Sequence, residues 1–197
     1  MIIIGLCGGS GAGKGTVDNC FLKHGIPSID TDAVYRELTV RGSYLLNILS
    51  EAFGTDILNE RGELDRKKLS ALVFSDPAKH KLLNSITHSE ILNEAERRIR
   101  KYESEGYPAV ICDAPLLFES GFDKKCDIII AVIAPLDVRI ERLVGRDGIS
   151  PEAARQRILS QLPDEYLEKH SDFVINNNGD LANVQAQIDS LVKIILK

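Results

Sequence analysis

No apolar run in this chain approaches the ~18 residues that a membrane-spanning helix needs, so no such span is expected. A basic excess is missing too. Lys and Arg number 24 against 29 Asp and Glu, a formal net charge of −5, which argues against a dedicated nucleic-acid surface. Histidine is sparse: His24, His80, His88 and His170 are scattered along the chain. None pairs with a nearby serine or cysteine, and none has metal-ligand spacing, so hydrolysis through an activated nucleophile has no support. The four cysteines, Cys7, Cys20, Cys112 and Cys126, show neither close pairing nor zinc-type spacing. Two of them lie in apolar runs, as buried free thiols do in a reducing compartment. The first residues lack the basic segment of a secretion signal, so a cytoplasmic location is expected. Internal repeats and low-complexity segments are absent.

What is present is a chain of 197 residues, 44% hydrophobic, enough for one substantial core with a smaller appended subdomain. Apolar runs alternate with helix-periodic segments. The runs cover residues 2–7, 28–29, 109–112, 128–133 and 173–175. They are continuous rather than alternating, which suits strands buried on both faces of a parallel sheet. The reading is α/β: a mostly parallel five-stranded sheet between two helical layers. Helix starts are legible at Asp76-Pro77, Ser150-Pro151 and Asp180. Leu181, Val184, Ile188, Leu191 and Ile195 mark the buried face of the last helix. Ile91, Ala95, Ile99 and Tyr102 make a similar stripe, ringed by Arg97, Arg98, Arg100 and Lys101, which read as a solvated face. The stretch 44–106 is long for a single crossover and is expected to be a helical insertion.

The first run leads into Gly8-Gly9-Ser10-Gly11-Ala12-Gly13-Lys14-Gly15-Thr16. Strand, glycine loop, lysine and helix in this order are the pattern of a phosphate-binding loop. Successive backbone N–H groups make an anion cup that glycine lets wrap closely. The helix that follows points its positive end at the same place, and Lys14 adds a mobile charge for the outer phosphates. Serine or threonine usually follows the lysine and ligates magnesium. Gly15 stands there instead, and Thr16 comes one later, so magnesium is expected to lean on carboxylates and water.

Two carboxylates end strands and are candidates to face this loop. Asp113 follows the third run, the position of an acid that orients magnesium. Asp30 and Asp32 follow the second. Asp32 can accept a proton from an attacking hydroxyl, whereas Asp30 reads as a helix cap. Arg139, Arg142 and Arg146 follow the fourth run. Arginine forks match the charge of a transferring phosphoryl group, although a helical arginine pair is also a common surface feature.

These residues resemble the dephospho-coenzyme A kinase family. The likeness runs through residues 8–16, Ile29-Asp30-Thr31-Asp32, Phe53-Gly54 and Gly62-Glu63-Leu64-Asp65-Arg66. It continues through Val73-Phe74, Leu83-Asn84, His88 and Asp113-Ala114-Pro115-Leu116-Leu117-Phe118-Glu119. Arg142, Arg146-Asp147, Gln161 and residues 172–179 complete it. The resemblance implies a P-loop NTPase fold and transfer of the ATP γ-phosphoryl group to the ribose 3′-hydroxyl of dephospho-coenzyme A, with Mg2+. It implies a nucleotide-binding core (1–43, 107–137, 171–197), a helical acceptor subdomain (44–106) and a lid (138–170). Asp32, Lys14 and Arg142 would be catalytic. Gly9, Gly11, Ala12, Gly13, Lys14, Gly15, Thr16, Arg146, Asn177 and Gly179 would bind ATP. Asp32, His88, Leu116 and Glu119 would meet the acceptor, and Asp113 and, through water, Thr16 the metal. A monomer or weak homo-oligomer is expected.

The chain departs from the family pattern in four places. Gly15 replaces the common serine, as in adenylate kinases. Ser89 replaces a proline, which is expected to change only a helix start. Arg139 stands where glutamine is common. Leu167 takes the place of a lid lysine, for which Lys169 is the candidate substitute. Two other readings stay open at this point. A nucleoside monophosphate kinase of the adenylate kinase type would share the Gly-Lys-Gly-Thr loop and would need no proton acceptor. A nucleotide-driven switch would need a guanine-reading Asn-Lys-x-Asp element, which residues 176–180 do not supply.

Overall fold

The computed structural model describes residues 1–74 and 76–197. Five strands form one sheet: β1 (Ile2–Cys7), β2 (Ser28–Asp30), β3 (Ala109–Asp113), β4 (Ile128–Ile133) and β5 (Phe173–Asn176), in the order β2-β3-β1-β4-β5. The pairs β1–β3, β1–β4 and β4–β5 are parallel. The continuous apolar runs are buried as expected: Ile4, Leu6, Ile111, Ile130 and Val132 have no exposed surface. Each such side chain contributes about 1.5–3 kcal/mol of burial. Gly5 sits mid-strand because a Cβ there would lie 2.8 Å from Cys126 Sγ. Strand register decides where the chemistry lands. Leu6 pairs with Asp113, Cys7 with Ala131 and Ile133 with Asn176, so β1 and β3 end almost together, and β4 and β5 end together two residues beyond β1.

The chain divides into two compact units. The first comprises Met1–Ile29 and Ile99–Lys197. Here α1 (Lys14–Leu22) and α9 (Leu181–Ile195) pack on the sheet through Val17, Phe21, Val184 and Ile188. Three helices, α6 (Leu136–Asp147), α7 (Pro151–Leu159) and α8 (Asp164–Lys169), lie between β4 and β5. The expected caps form: Ser150 Oγ accepts from Ala153 N, and the Asp180 carboxylate from Ala182 N. Beside the edge strand β5, the Gln187 amide exchanges two 3.0 Å hydrogen bonds with the Asn176 backbone, one to its N–H and one to its C=O.

The second unit, Asp30–Arg98, holds α2 (Thr31–Leu38), α3 (Tyr44–Phe53), α4 (Arg66–Phe74) and most of α5 (Pro77–Ser104). Leu45, Leu49, Ile57, Leu69 and Val73 form its core. Several residues that carried the family likeness are architectural here. Asp65 caps α4 by accepting from Lys67 N and Lys68 N, and Arg66 lies 5.2 Å over the Tyr35 ring while donating to Thr39. Ser89 starts no helix. It sits inside the 28-residue α5, its Oγ donating back to the Ser85 and Ile86 carbonyls. Serine keeps the backbone N–H that proline would remove, so the helix runs through. The basic ring on α5 is not simply solvated either. Glu94 binds Arg97 in a fork and Arg98 through Nε, and Arg98 also pairs with Glu37.

Candidate functional site

The loop of residues 8–16 leaves β1 at the level where β3 and β4 end, and α1 starts at Lys14. Its helix cap, Gly13, has φ +94°, and no side chain caps the first turn among the described residues. A left-handed glycine at this point aims first-turn N–H groups at the space over the loop, as an anion site requires. Gly9 is required for a different reason: a Cβ there would collide with the Arg139 guanidinium.

The loop carbonyls can be accounted for one by one. Lys14 Nζ donates to the Gly8 carbonyl at 3.1 Å, and Ala12 N–H to that of Gly9 at 3.0 Å. Arg139 Nε donates to the Ser10 carbonyl at 2.9 Å. Arg142 Nη1 donates to the Gly11 and Ala12 carbonyls at 3.1 and 3.2 Å, and Asn177 Nδ2 reaches the Ala12 carbonyl at 2.8 Å. The first turn of α1 takes the Gly13 carbonyl. Every carbonyl from Gly8 to Gly13 therefore has a donor, and three of the donating side chains come from outside the loop.

Two of them hold each other, and the third has its own anchor. Arg142 Nη2 donates to both the backbone and the side-chain oxygen of Asn177, each at 3.2 Å. Arg139, only 4% exposed, meets both Asp164 oxygens at 2.8 and 3.1 Å. Gln161 Oε1 accepts from Ser10 N–H at 2.7 Å, so the backbone of Ser10 is held at both its N–H and its C=O. A buried arginine needs such a partner, because an unpaired charge in the interior costs several kcal/mol.

Lys14 Nζ lies 3.6 Å from Asp113 Oδ1, both side chains being about 15% exposed. The pair stands at the mouth of the loop. No cluster of three or more acidic, histidine or cysteine side chains suited to a metal exists among the described residues. One strand-end carboxylate suits magnesium, which keeps most of its waters and takes ligands from substrate phosphates. Thr16 is exposed, one turn-position past Gly15, whose own Cβ would meet nothing within 4 Å.

The other candidates are placed as follows. Leu116 and Glu119 are exposed and line a pocket of about 80 Å³ with Gly8, Gly9, Gln161 and Leu167. Leu167 is 4% exposed, so it is a core residue of α8 and not a stand-in for a charged one. Lys169 is exposed and stands about 200° round the helix from it. Arg146 is turned into a fork on Asp147, which Arg157 also contacts. Those two arginines hold the Asp147 carboxyl below its usual value, the Arg146 bonds most of all. Gly179, with φ +111°, is in the exposed turn before α9. In the second unit, Asp30 accepts from Asp32 N and Ala33 N and so caps α2, which leaves Asp32 exposed in its first turn. His88 is half-buried on α5. All four cysteines are free thiols. Burial raises Cys7 and Cys112, and pushes Cys126 up to about 12.

Arg139, read in the sequence as a candidate for the phosphoryl charge, and Asp164 and Gln161, which sequence reasoning left without a role, hold the loop from behind. A signal existed for the first. Leu136, Arg139 and Leu143 share one helical face, so the arginine occupies a core position.

The CoaE family model, described as dephospho-CoA kinase, matches residues 2–183. A dephospho-CoA kinase of Corynebacterium efficiens is 43% identical over 196 residues, covering 100% of this chain and 98% of that one. Among solved structures, TT1252 from Thermus thermophilus superposes with a TM-score of 0.83 at 31% identity, covering 98% of this chain and 97% of that one. A dephospho-CoA kinase from Campylobacter jejuni gives a TM-score of 0.72 at 25% identity, with 98% and 96% covered.

Proposed function

Because the chain belongs to the dephospho-CoA kinase family, we propose that its phosphate loop delivers the ATP γ-phosphoryl group to the ribose 3′-hydroxyl of dephospho-CoA. The activity is ATP-dependent phosphorylation of dephospho-CoA to CoA, a step of CoA biosynthesis. One observation carries the reading: a family match over residues 2–183 that includes a fully formed anion loop. The alternative of a nucleoside monophosphate kinase loses ground, because a relative 43% identical over the whole chain is named for dephospho-CoA.

The roles follow from the chemistry. Transfer spreads negative charge over the phosphoryl oxygens, and catalysis is mostly positioning plus neutralisation of that charge. The N–H groups of Gly11, Gly13, Lys14 and Gly15 hold the phosphates. Lys14 leaves Asp113 for the outer phosphates, and Arg142 adds positive charge behind the loop. Asp113, with Thr16 through water, would hold Mg2+, which would supply positive charge to the phosphates. Asp32 takes the proton of the attacking hydroxyl, since an alcohol acceptor must lose one. Arg146, Asn177 and Gly179 lie on the adenosine side of ATP, while His88, Leu116 and Glu119 serve the acceptor. Residues 44–106 form the acceptor subdomain, and 138–170 the lid that excludes water. Four free thiols fit a cytoplasmic setting.

The test is an ADP-release assay with ATP and magnesium, run with dephospho-CoA and with AMP. Turnover with dephospho-CoA and phosphate found on the 3′-oxygen is expected. Turnover with AMP alone would move the protein to the nucleotide kinases.

A further inference from the structure

We propose that Arg139, anchored by Asp164, and Asn177 are positioning residues that turn the loop carbonyls out of the phosphate cup. The inference rests on the loop being the ATP site. Across a trans peptide the C=O of one residue and the N–H of the next point in opposite directions. Arg139 draws the Ser10 carbonyl outward, so the Gly11 N–H points inward. Arg142 and Asn177 draw the Ala12 carbonyl outward, which turns the Gly13 N–H inward. Neither the Gly11 nor the Gly13 N–H has an acceptor among the described residues.

Without these donors either peptide could flip, and a carbonyl dipole would then face the phosphates. A flip replaces attraction by repulsion at the place where the charge is greatest. Glycine follows each of these peptides and tolerates either sign of φ, so the loop sequence alone does not fix the cup. The clamps come from far along the chain: Arg139 is 129 residues from Ser10, and Asn177 is 165 from Ala12.

Asp164 is what makes Arg139 dependable. It occupies the other face of the guanidinium at 2.8 Å and keeps Nε directed at the Ser10 carbonyl. Gln161 accepts from the N–H of the preceding peptide, that of Ser10, so Ser10 is held from both ends. Gln161 lies between α7 and α8 and Asp164 is the first residue of α8, so the loop is referred to that turn as well as to its own strand and helix. Arg142 has a double part, since it holds carbonyls and carries charge, and for that reason it is a poor test residue.

The experiment uses the full chain with two probes, inorganic tripolyphosphate and adenosine, binding measured by calorimetry beside thermal melts. Wild type is expected to bind tripolyphosphate in competition with ATP. Arg139→Met should weaken tripolyphosphate binding by about tenfold to a hundredfold with adenosine binding little changed, and Asn177→Leu should weaken tripolyphosphate binding by a similar factor. Arg139→Gln keeps an N–H donor for the Ser10 carbonyl and should recover much of the loss. Asp164→Asn is the milder variant should Arg139→Met fail to fold, and it should weaken tripolyphosphate binding several-fold. A role in stability alone predicts lowered melting temperatures with unchanged tripolyphosphate affinity, and that result overturns the proposal. Failure of wild type to bind tripolyphosphate would instead refute the loop as the ATP site.

Discussion

Two glycines two residues apart in the loop should respond to the same substitution in opposite ways. Gly13 has φ +94°, and a Cβ there would run into the Asn177 side-chain amide. An alanine at that backbone angle costs about 1–2 kcal/mol. Displacing the buried amide from its 2.8 Å bond to the Ala12 carbonyl adds about 1–3 kcal/mol. The sum, about 2–5 kcal/mol, corresponds to a melting temperature lowered by about 4–20 °C for a chain of this size. Gly15 lies inside α1, has no positive φ, and its Cβ would meet nothing within 4 Å. Alanine there removes unfolded-state entropy and should stabilise by up to about 1 kcal/mol. Melts of Gly13→Ala, Gly15→Ala and wild type, followed by circular dichroism without nucleotide, decide the matter. A Gly13→Ala melt within about 2 °C of wild type would refute the reasoning, because either term alone should exceed that.

Further expectations concern chemistry and pH. Lys14→Ala should lower turnover by about a hundredfold or more, since it removes the loop's own cation, and normal turnover would overturn its assignment. Asp32→Asn should lower kcat and leave ATP affinity nearly intact; loss of ATP binding with kcat preserved would make Asp32 a metal-site residue. Glu94 is held down to about 2 from 4.5, chiefly by the fork from Arg97. Its stabilising effect is therefore complete above about pH 4.5 and fades as pH falls toward 2. Linkage allows at most about 3 kcal/mol, and the exposure of Arg97 reduces this to about 1–2. Urea unfolding should show Glu94→Gln less stable than wild type at pH 7 and equal to it near pH 2, and a gap independent of pH would contradict this. The buried thiols should resist maleimide at neutral pH in the folded enzyme and react once it is unfolded in urea; rapid inactivation of the native protein would show that Cys7 is accessible.

Much of this was legible in the residues. The strands stood out because a sheet buried on both faces demands unbroken apolar runs, and β1 and β4 match their runs to the residue. Caps such as Ser150 were legible because a single side chain satisfies them locally. The continuity of α5 through Ser89 was not, because a serine after a histidine marks a helix start as readily as a helix interior. The clamps on the loop were hidden for a different reason. Arg139, Arg142 and Asn177 act on backbone oxygens more than 120 residues away, and a carbonyl carries no sequence label. Leu167 misled for a related reason: its burial against the pocket is a tertiary fact, invisible in a helix of six residues.

The small amide of Gln187 has a wider consequence. A sheet's last strand invites another chain to add itself, and proteins that leave that invitation open risk fibres and runaway assembly. At Asn176, the final residue of the four-residue β5, Gln187 offers the donor and acceptor that an incoming strand would offer. The vacancy at that end of the edge is filled from within, by a side chain that cannot propagate. The helix that carries it thus closes this end of the sheet while it completes the core.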